Sequence, residues 1–512
     1  MTDTIHVRTD DIVGRIAPET YGHFAEHLGR CVYGGLWVGD DDRIETEDGV
    51  REDTLSLLAD LDPPVLRWPG GCFADDYHWE DGVGPPEERP RRRSLWWAQG
   101  REDEWEESNA FGTEEFLRVC RRVGAEPYLA GNVGSGSPGE LVDWAEYCNH
   151  DGDTDLARMR HENGREEPHD VRYWGVGNEN WGCGGRYDPE SYALEYRRFA
   201  NYLRAFERVL GERCLELVAC GDNDPDWNHR FLETLGESGA IADVGGFELL
   251  DHLSVHRYYE AGEATDFSEE EYFRLFARAA AVGRDVDRAA EVLESFVPAG
   301  RVGVIVDEWG VWHPQAVPAN GLEQPGTVRD ALSAAGVLDD LNARADVVTM
   351  ANLAQTVNVL QCVVRTDETD AWATTTYRVF DLYRPHVGGE ALRTDVETGV
   401  REVGVDGGHE GVPLVSASAS ANGAGVFLTL SNRALDSREV RVEFDRGPAP
   451  ATADASVLFD GQAPEASATA GNADEFAPAD LAVEIDAGSA VVEAPPASVV
   501  GLRLDSERPD RL

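Results

Sequence analysis

Through the first 370 residues, short continuous apolar runs alternate with longer stretches in which apolar residues return every three or four positions. The short runs lie near Tyr21–Glu26, Val65–Trp68, Glu126–Ala130, Arg172–Gly177, Leu215–Cys220, His252–His256, Val302–Asp307 and Val357–Val364. Each predicts a buried strand. The helical period is clear at Thr113–Val123, Pro189–Leu210, Glu269–Ala281 and Val328–Arg344. Strand and helix alternating eight times predict an α/β chain folded as a (β/α)8 barrel. A doubly wound sheet fits less well, because no glycine-rich turn follows the first strand.

Beyond about Pro385 the pattern changes. All 13 tryptophans and 15 tyrosines precede that point. After it come short alternating runs, among them GVFLTLSN, REVRVEFD and SVVGLRL, separated by Gly, Ala, Pro and Asp. Alternation at period two predicts an antiparallel, jelly-roll-like β-sandwich. The expected division is residues 18–384 for the barrel and 385–512 for the sandwich. Residues 1–17, including the strand-like IHVRTDDIVGRI, form an N-terminal strand. Three segments read as loops: Gly461–Asp480, rich in Ala, Asp and Pro; the hydrophilic Asp151–His169; and the charged Glu87–Glu107, which holds Trp96, Trp97 and Trp105 at the barrel mouth.

Composition narrows the setting. Asp and Glu number 97 against 45 basic residues, all arginine, for a formal net charge of −52. Such a surface repels nucleic acid and anionic membrane, so neither is an expected partner. It suits concentrated salt, where charge is screened within roughly 3 Å at 1 M. The eight cysteines, at 31, 72, 120, 148, 183, 214, 220 and 362, form no CxxC pair. They read as buried thiols rather than a zinc site. The N-terminus shows no signal-like pattern, and no apolar run reaches the length of a membrane span. A cytoplasmic location is the expectation.

Two of the strands end abruptly on glutamate: YWGVGNENW carries Glu179 and VIVDEWGV carries Glu308. A glutamate at a strand end is often a helix cap or a surface charge. Here Asn178 precedes Glu179, an amide suited to hydroxyl recognition, and Trp309 follows Glu308, an indole suited to packing on a sugar ring. Two carboxylates facing one pocket are the minimum equipment of a glycosidase.

On the Asn-Glu pair and the Asp-Glu-Trp triplet the chain resembles glycoside hydrolase family 51, the α-L-arabinofuranosidases. The resemblance extends to GHFAEHLGRCVYGG, RWPGGCFADDYHWEDGVGP, SNAFGTEEF, HRYY and ANLAQTVNVLQ, and covers about residues 5–385. It implies a retaining exo-hydrolase releasing terminal arabinofuranosyl residues from arabinoxylan or arabinan oligosaccharides. The sequence carries no metal-ligand cluster or nucleotide loop, so no cofactor and no metal are expected. The resemblance also implies that the N-terminal strand joins the sandwich and that the chain forms a homo-oligomer, commonly a hexamer.

Among residues, the resemblance makes Glu179 the acid/base and Glu308 the nucleophile. Asn178 would hold the sugar 2-hydroxyl, Arg67 would keep Glu308 ionised, and Glu26 would bind ring hydroxyls. His256 and Tyr258 would support the acid/base and the nucleophile. Gln355 matches a further binding position, with Asn358 as its rival. Cys72 stands where many members carry asparagine, and a thiol is a poorer hydrogen-bond partner than an amide. Gly310 and His313 also depart from a commoner Asn and Tyr. A β-xylosidase or endo-glycanase on the same barrel is the alternative enzyme. A non-catalytic carbohydrate-binding protein is the remote one, because both glutamates are retained.

Overall fold

The structure is a computed structural model that describes residues 3–96, 106–211, 214–238, 246–423, 425–446 and 449–505. Strand β1 (Asp3–Arg15) precedes eight short strands: β2 (Gly22–Phe24), β3 (Val65–Trp68), β4 (Glu126–Gly131), β5 (Tyr173–Val176), β6 (Glu216–Cys220), β7 (His252–Tyr259), β8 (Gly303–Val311) and β9 (Val348–Ala354). These pair in sequence order, all parallel, and close on themselves as a barrel. Parallel strands covered on the outside by helices are buried on both faces, which is why the runs are continuously apolar. Val65, Tyr128, Tyr173, Val218, Ile305 and Met350, from six different strands, form a buried cluster of their own.

Helices α1 (Thr113–Val123) and α2 (Pro189–Leu210) have the expected bounds. Both end on a glycine in the left-handed conformation, Gly124 (φ 79°) and Gly211 (φ 87°), where a side chain would be strained. Helix α3 (Val328–Asn342) is buried along nearly its whole circumference, between the barrel and the C-terminal sheet. Its Asp339 lies at that junction. One carboxylate oxygen accepts from Tyr383 (2.9 Å), Ser418 (3.0 Å) and Thr429 (3.2 Å), the other from Ser416 (2.8 Å).

After the barrel follow β10 (Glu390–Glu397), β11 (Val415–Asn422), β12 (Gly425–Asn432), β13 (Arg438–Arg446), β14 (Thr452–Leu458), β15 (Ala479–Leu481), β16 (Val483–Asp486), β17 (Ser489–Ala494) and β18 (Ser498–Asp505). Together with β1 they make one ten-stranded sheet, ordered β15-β14-β18-β12-β11-β10-β1-β13-β17-β16. Strand β1 runs antiparallel to β10 and parallel to β13, the one parallel pairing in this otherwise antiparallel layer. Its Ile5 and Val7 lie in the sheet domain's own core beside Leu428, Leu430, Val440, Val442, Val500 and Leu502.

Two expectations are corrected. The eighth barrel strand is Val348–Ala354, not Val357–Val364. The latter stretch is as apolar, but it is a buried irregular turn with Asn358 and Leu360 in the left-handed conformation. Continuous apolar character marks burial, and in so short a run it does not separate strand from buried loop. Residues 151–169 contain a helix, Asp155–Glu162, capped by the Thr154 side chain and anchored by the buried Arg160, whose guanidinium donates to Tyr147 O at 2.7 Å. The run 461–480 is loop as expected, apart from a 3-10 turn at Ala473–Phe476 and the start of a strand at Ala479, and it packs against the barrel: Val328 and Arg329 donate their backbone N–H groups to Ala466 O and Pro464 O, both at 2.9 Å. In the charged loop, Trp97 and Trp105 lie outside the described residues; Arg92–Arg93 and Glu106–Glu107 pair as a short ribbon.

Candidate active site

All eight strands point the same way, so their C-terminal ends open on one face, where six of them carry the expected site residues. Glu26 lies two residues beyond β2, Arg67 within β3, Asn178 and Glu179 just beyond β5, His256 and Tyr258 within β7, Glu308 within β8 and Gln355 immediately after β9. The structure brings all of these into one pocket.

Local backbone features aim the two glutamates. After β5 the chain turns sharply through Gly177 (φ 93°) and Glu179 (φ 40°), and Gly182 N–H closes the turn onto Glu179 O at 2.6 Å. A left-handed glutamate is strained by about 1–2 kcal/mol, so the surroundings must hold it. Asn180 does part of this: its N–H donates to Cys220 Sγ (3.3 Å) and its side chain to Gly184 O (2.8 Å). At Glu308 the pairing register slips. Val255 lies opposite Val306, but His256 lies opposite Glu308, which leaves Asp307 as an extra residue on β8. A regular strand would send Asp307 and Glu308 to opposite faces. The bulge lets both approach Arg67, Glu308 Oε1 at 2.8 Å from Nη1 and Asp307 Oδ2 at 3.8 Å from Nε.

Glu308 is nearly buried, its side chain 7 % exposed against 22 % for Glu179. Arg67 donates to its Oε1, and Tyr258 donates its hydroxyl to Oε2 at 2.8 Å. Burial pushes the Glu308 carboxyl up, but His256, Arg67 and Tyr258 outweigh it and hold its pKa below the ordinary carboxylate value. His256 is a bridge between the acids, its Nδ1 3.0 Å from Glu179 Oε1 and 3.6 Å from Glu308 Oε2. Burial disfavours its charged form, yet Glu308 and Glu179 raise its pKa above the usual value. One carboxylate oxygen of Glu179, one of Glu308 and a ring nitrogen of His256 lie within 4.8 Å of one another.

The second Arg67 branch, Nη2, donates to Asn178 Oδ1 at 2.6 Å, which leaves the Asn178 amide nitrogen directed toward Cys183 Sγ at 3.8 Å. Glu26 closes the far side. Its Oε1 accepts from the N–H groups of Gly71 (3.0 Å) and Phe73 (3.2 Å), and its Oε2 from Gln355 Nε2 (3.0 Å). Asn358 is elsewhere: it donates to Arg30 O and Thr366 Oγ1, bracing a loop. His313, paired at 2.9 Å with Asp330, likewise braces the start of α3.

Cys72 requires a correction. Its sulfur is bonded to Cys183, 111 residues away, so it offers no thiol to a sugar. Strands β3 and β5 are separated in the barrel by β4, and the loops that follow them meet across its end. No local spacing rule reports such a pair. The other six cysteines form no disulfide in the structure, five of them buried and Cys214 half-buried.

Four further residues belong to the site and escaped the reading of the sequence. Gly71 faces the pocket's centre: a Cβ there would lie 2.8 Å from Glu308 Oε1, 3.5 Å from Asn178 Nδ2 and 3.6 Å from Glu26 Oε1. Only glycine leaves that space for a ligand. Asp307 accepts from Tyr128 (2.9 Å) and Asn352 (3.3 Å) and so braces Arg67 from below. Gly71, Asp307 and Asn352 sit inside the quoted motifs, which was the available signal; Tyr128 carries none. Among the described residues no helix is long and apolar enough to cross a membrane.

Comparison with known proteins agrees with this geometry. Residues 57–272 match the family described as Alpha-L-arabinofuranosidase 1 domain, and residues 307–498 match the Alpha-L-arabinofuranosidase C-terminal domain. The chain is 39 % identical over 443 residues to an intracellular exo-alpha-L-arabinofuranosidase of Bacteroides ovatus, covering 84 % of this chain and 81 % of that protein. The crystal structure of the GH51 arabinofuranosidase from Xanthomonas axonopodis pv. citri superposes with a TM-score of 0.90 at 32 % identity, over 98 % of this chain and all of that one. An arabinose complex of the Thermotoga maritima alpha-L-arabinofuranosidase gives 0.82 at 32 % identity, with the same coverage of 98 % and 100 %. The chain belongs to the α-L-arabinofuranosidases of glycoside hydrolase family 51.

Proposed function

We propose that the chain removes terminal non-reducing α-L-arabinofuranosyl residues from arabinoxylan or arabinan oligosaccharides, with retention of configuration. The observation that carries this reading is the approach of Glu179 and Glu308, with carboxylate oxygens within 4.8 Å. Retaining sites hold their carboxyl groups about 5–5.5 Å apart, whereas inverting sites need about 6.5–9.5 Å to admit a water. Glu308, held ionised by Arg67, His256 and Tyr258, attacks the anomeric carbon as the bond to the leaving oxygen breaks. Glu179 delivers its proton to that oxygen. In the second step Glu179 takes a proton from water, the water oxygen bonds to the anomeric carbon, and the ester to Glu308 breaks.

Asn178, fixed by Arg67, presents its amide to the sugar 2-hydroxyl. Glu26, oriented by Gly71, Phe73 and Gln355, binds hydroxyls at the far end, and Gly71 leaves room for the ring. Gly71 and the Cys72–Cys183 bond form one wall. Proton NMR of the first sugar released from an aryl arabinofuranoside tests the reading: the α-anomer is expected, and the β-anomer appearing first would overturn it.

The same reading places the enzyme in concentrated salt, on the strength of its −52 charge. It places it in the cytoplasm, beside the relative named as intracellular, and in a homo-oligomer, a hexamer by resemblance. The division into residues 1–17, 18–384 and 385–512 belongs to this reading too. Light scattering in molar salt that gives a single chain mass would remove the oligomer.

A further inference from the structure

We propose that reduction of the Cys72–Cys183 bond turns this wall of the pocket into a binding site for a thiophilic divalent cation, zinc above all, which captures Glu179 and stops turnover. Both sulfurs and a Glu179 carboxylate oxygen already lie within 4.8 Å of one another. Cys183 Sγ is 4.0 Å from Glu179 Oε2, and the two cysteine Cα atoms are 5.5 Å apart. Tetrahedral zinc with Zn–S near 2.3 Å and Zn–O near 2.0–2.2 Å sets its sulfurs about 3.8 Å apart and each sulfur about 3.5 Å from the oxygen. The oxygen must close by about half an ångström on Cys183 and by at most about 1.3 Å on Cys72, and the sulfurs must open from a bond to a contact.

The backbone permits that opening. Gly70 and Gly71 precede Cys72, and Gly182, Gly184 and Gly185 surround Cys183, Gly185 at φ 125°. Disulfide sulfurs are poor ligands, whereas two thiolates and a carboxylate form a donor set that zinc prefers. Water takes the fourth position.

The pair is also selective for a reductant. Cys72, Cys183 and Glu179 are all half-buried and face the pocket. Five of the six cysteines outside the disulfide are buried, and burial pushes the thiols of Cys31 and Cys362 up to about 12 and 11. Such thiols are unreactive. The reaction balances with a dithiol. Its two electrons break the S–S bond, its own disulfide closes, and its two protons pass to Cys72 and Cys183. Binding zinc then releases those two protons. A reducing cytoplasm supplies this reductant, so the location proposed above makes the switch relevant. The loss of turnover rests on Glu179 being the acid/base; the binding does not.

The test uses the full chain, reduced with a phosphine, desalted without oxygen and titrated with Co2+ and then Zn2+. Expected are a thiolate-to-cobalt charge-transfer band, about one equivalent of metal per chain, and loss of activity that a chelator reverses. The oxidised protein should show no band and no inhibition at the same metal concentration. The double variant Cys72→Ser, Cys183→Ser should lose the band, and whatever activity it retains should be insensitive to the metal. Glu179→Gln should weaken binding by about tenfold or more, as loss of one ligand does.

No charge-transfer band in the reduced protein, or equal inhibition of the oxidised protein and the double variant, overturns the site and leaves the assignment of Glu179 standing. Metal bound at the thiolates with turnover of an arabino-oligosaccharide unimpaired overturns the capture of Glu179; the acid/base assignment is decided separately, by Glu179→Ala on natural against aryl glycosides.

Discussion

Removing the Tyr258 hydroxyl isolates one contribution to the ionisation of Glu308. In Tyr258→Phe the ring still packs edge-on against Trp312, at 5.3 Å between centroids, and only the 2.8 Å donation to Glu308 Oε2 is lost. A hydrogen bond to a buried charged group contributes about 1.5–3 kcal/mol. At about 1.4 kcal/mol per unit this raises the Glu308 pKa by about one to two units. The sign follows from the wild-type site, where Tyr258, Arg67 and His256 together hold that pKa below the ordinary value against burial. The nucleophile reacts as the carboxylate, so activity is lost as pH falls through its pKa. The acidic limb of kcat/KM should therefore move to higher pH by about one to two units. Within the displaced window the variant should be slower by about 10- to 100-fold, and at the alkaline plateau the two enzymes should differ much less. The assay is kcat/KM for an aryl arabinofuranoside from acid to neutral pH at fixed molar salt. An acidic limb that stays in place, or moves to lower pH, refutes the reasoning.

Other outcomes test other links. Glu308→Ala should abolish turnover, and azide should not restore the natural anomer; Glu179→Ala should keep partial activity on aryl glycosides, whose leaving groups need little proton help, and the reverse pattern would exchange the two roles. Melting temperature and activity should rise together from dilute buffer to molar KCl, because repulsion across a net charge of −52 can rival a folding stability of about 5–15 kcal/mol; equal stability in both would refute the salt reading. At the junction of barrel and sheet, burial pushes Asp339 up to about 6. A carboxyl raised from about 3.9 in the unfolded chain makes the folded state lose about 3 kcal/mol as pH climbs between the two values. Asp339→Asn should remove that loss, so the variant's melting temperature relative to wild type should be higher at pH 7 than at pH 4; no change in that difference would count against it.

The sequence by itself determined what is local. Apolar runs and helical periodicity placed seven of the eight barrel strands and the bounds of α1 and α2, since burial and helical pitch leave their pattern within a dozen residues. The eighth strand was missed because Val357–Val364 is as apolar as Val348–Ala354, and only closure of the barrel against β2 distinguishes them. Glu179 and Glu308 were legible from their neighbours in the motifs.

What joins the site was not legible. Gln355 meets Glu26 across 329 residues, Cys72 meets Cys183 across 111, and Tyr128 meets Asp307 across 179. These contacts arise because circular closure brings the C-terminal ends of distant strands onto one rim. The bulge that turns both Asp307 and Glu308 toward Arg67 is likewise a property of pairing between β7 and β8, and neither strand's sequence shows it alone. Residue type and local period decide which groups are available and which elements carry them. Strand register and barrel closure decide which of those groups face one another, and the chemistry depends on that.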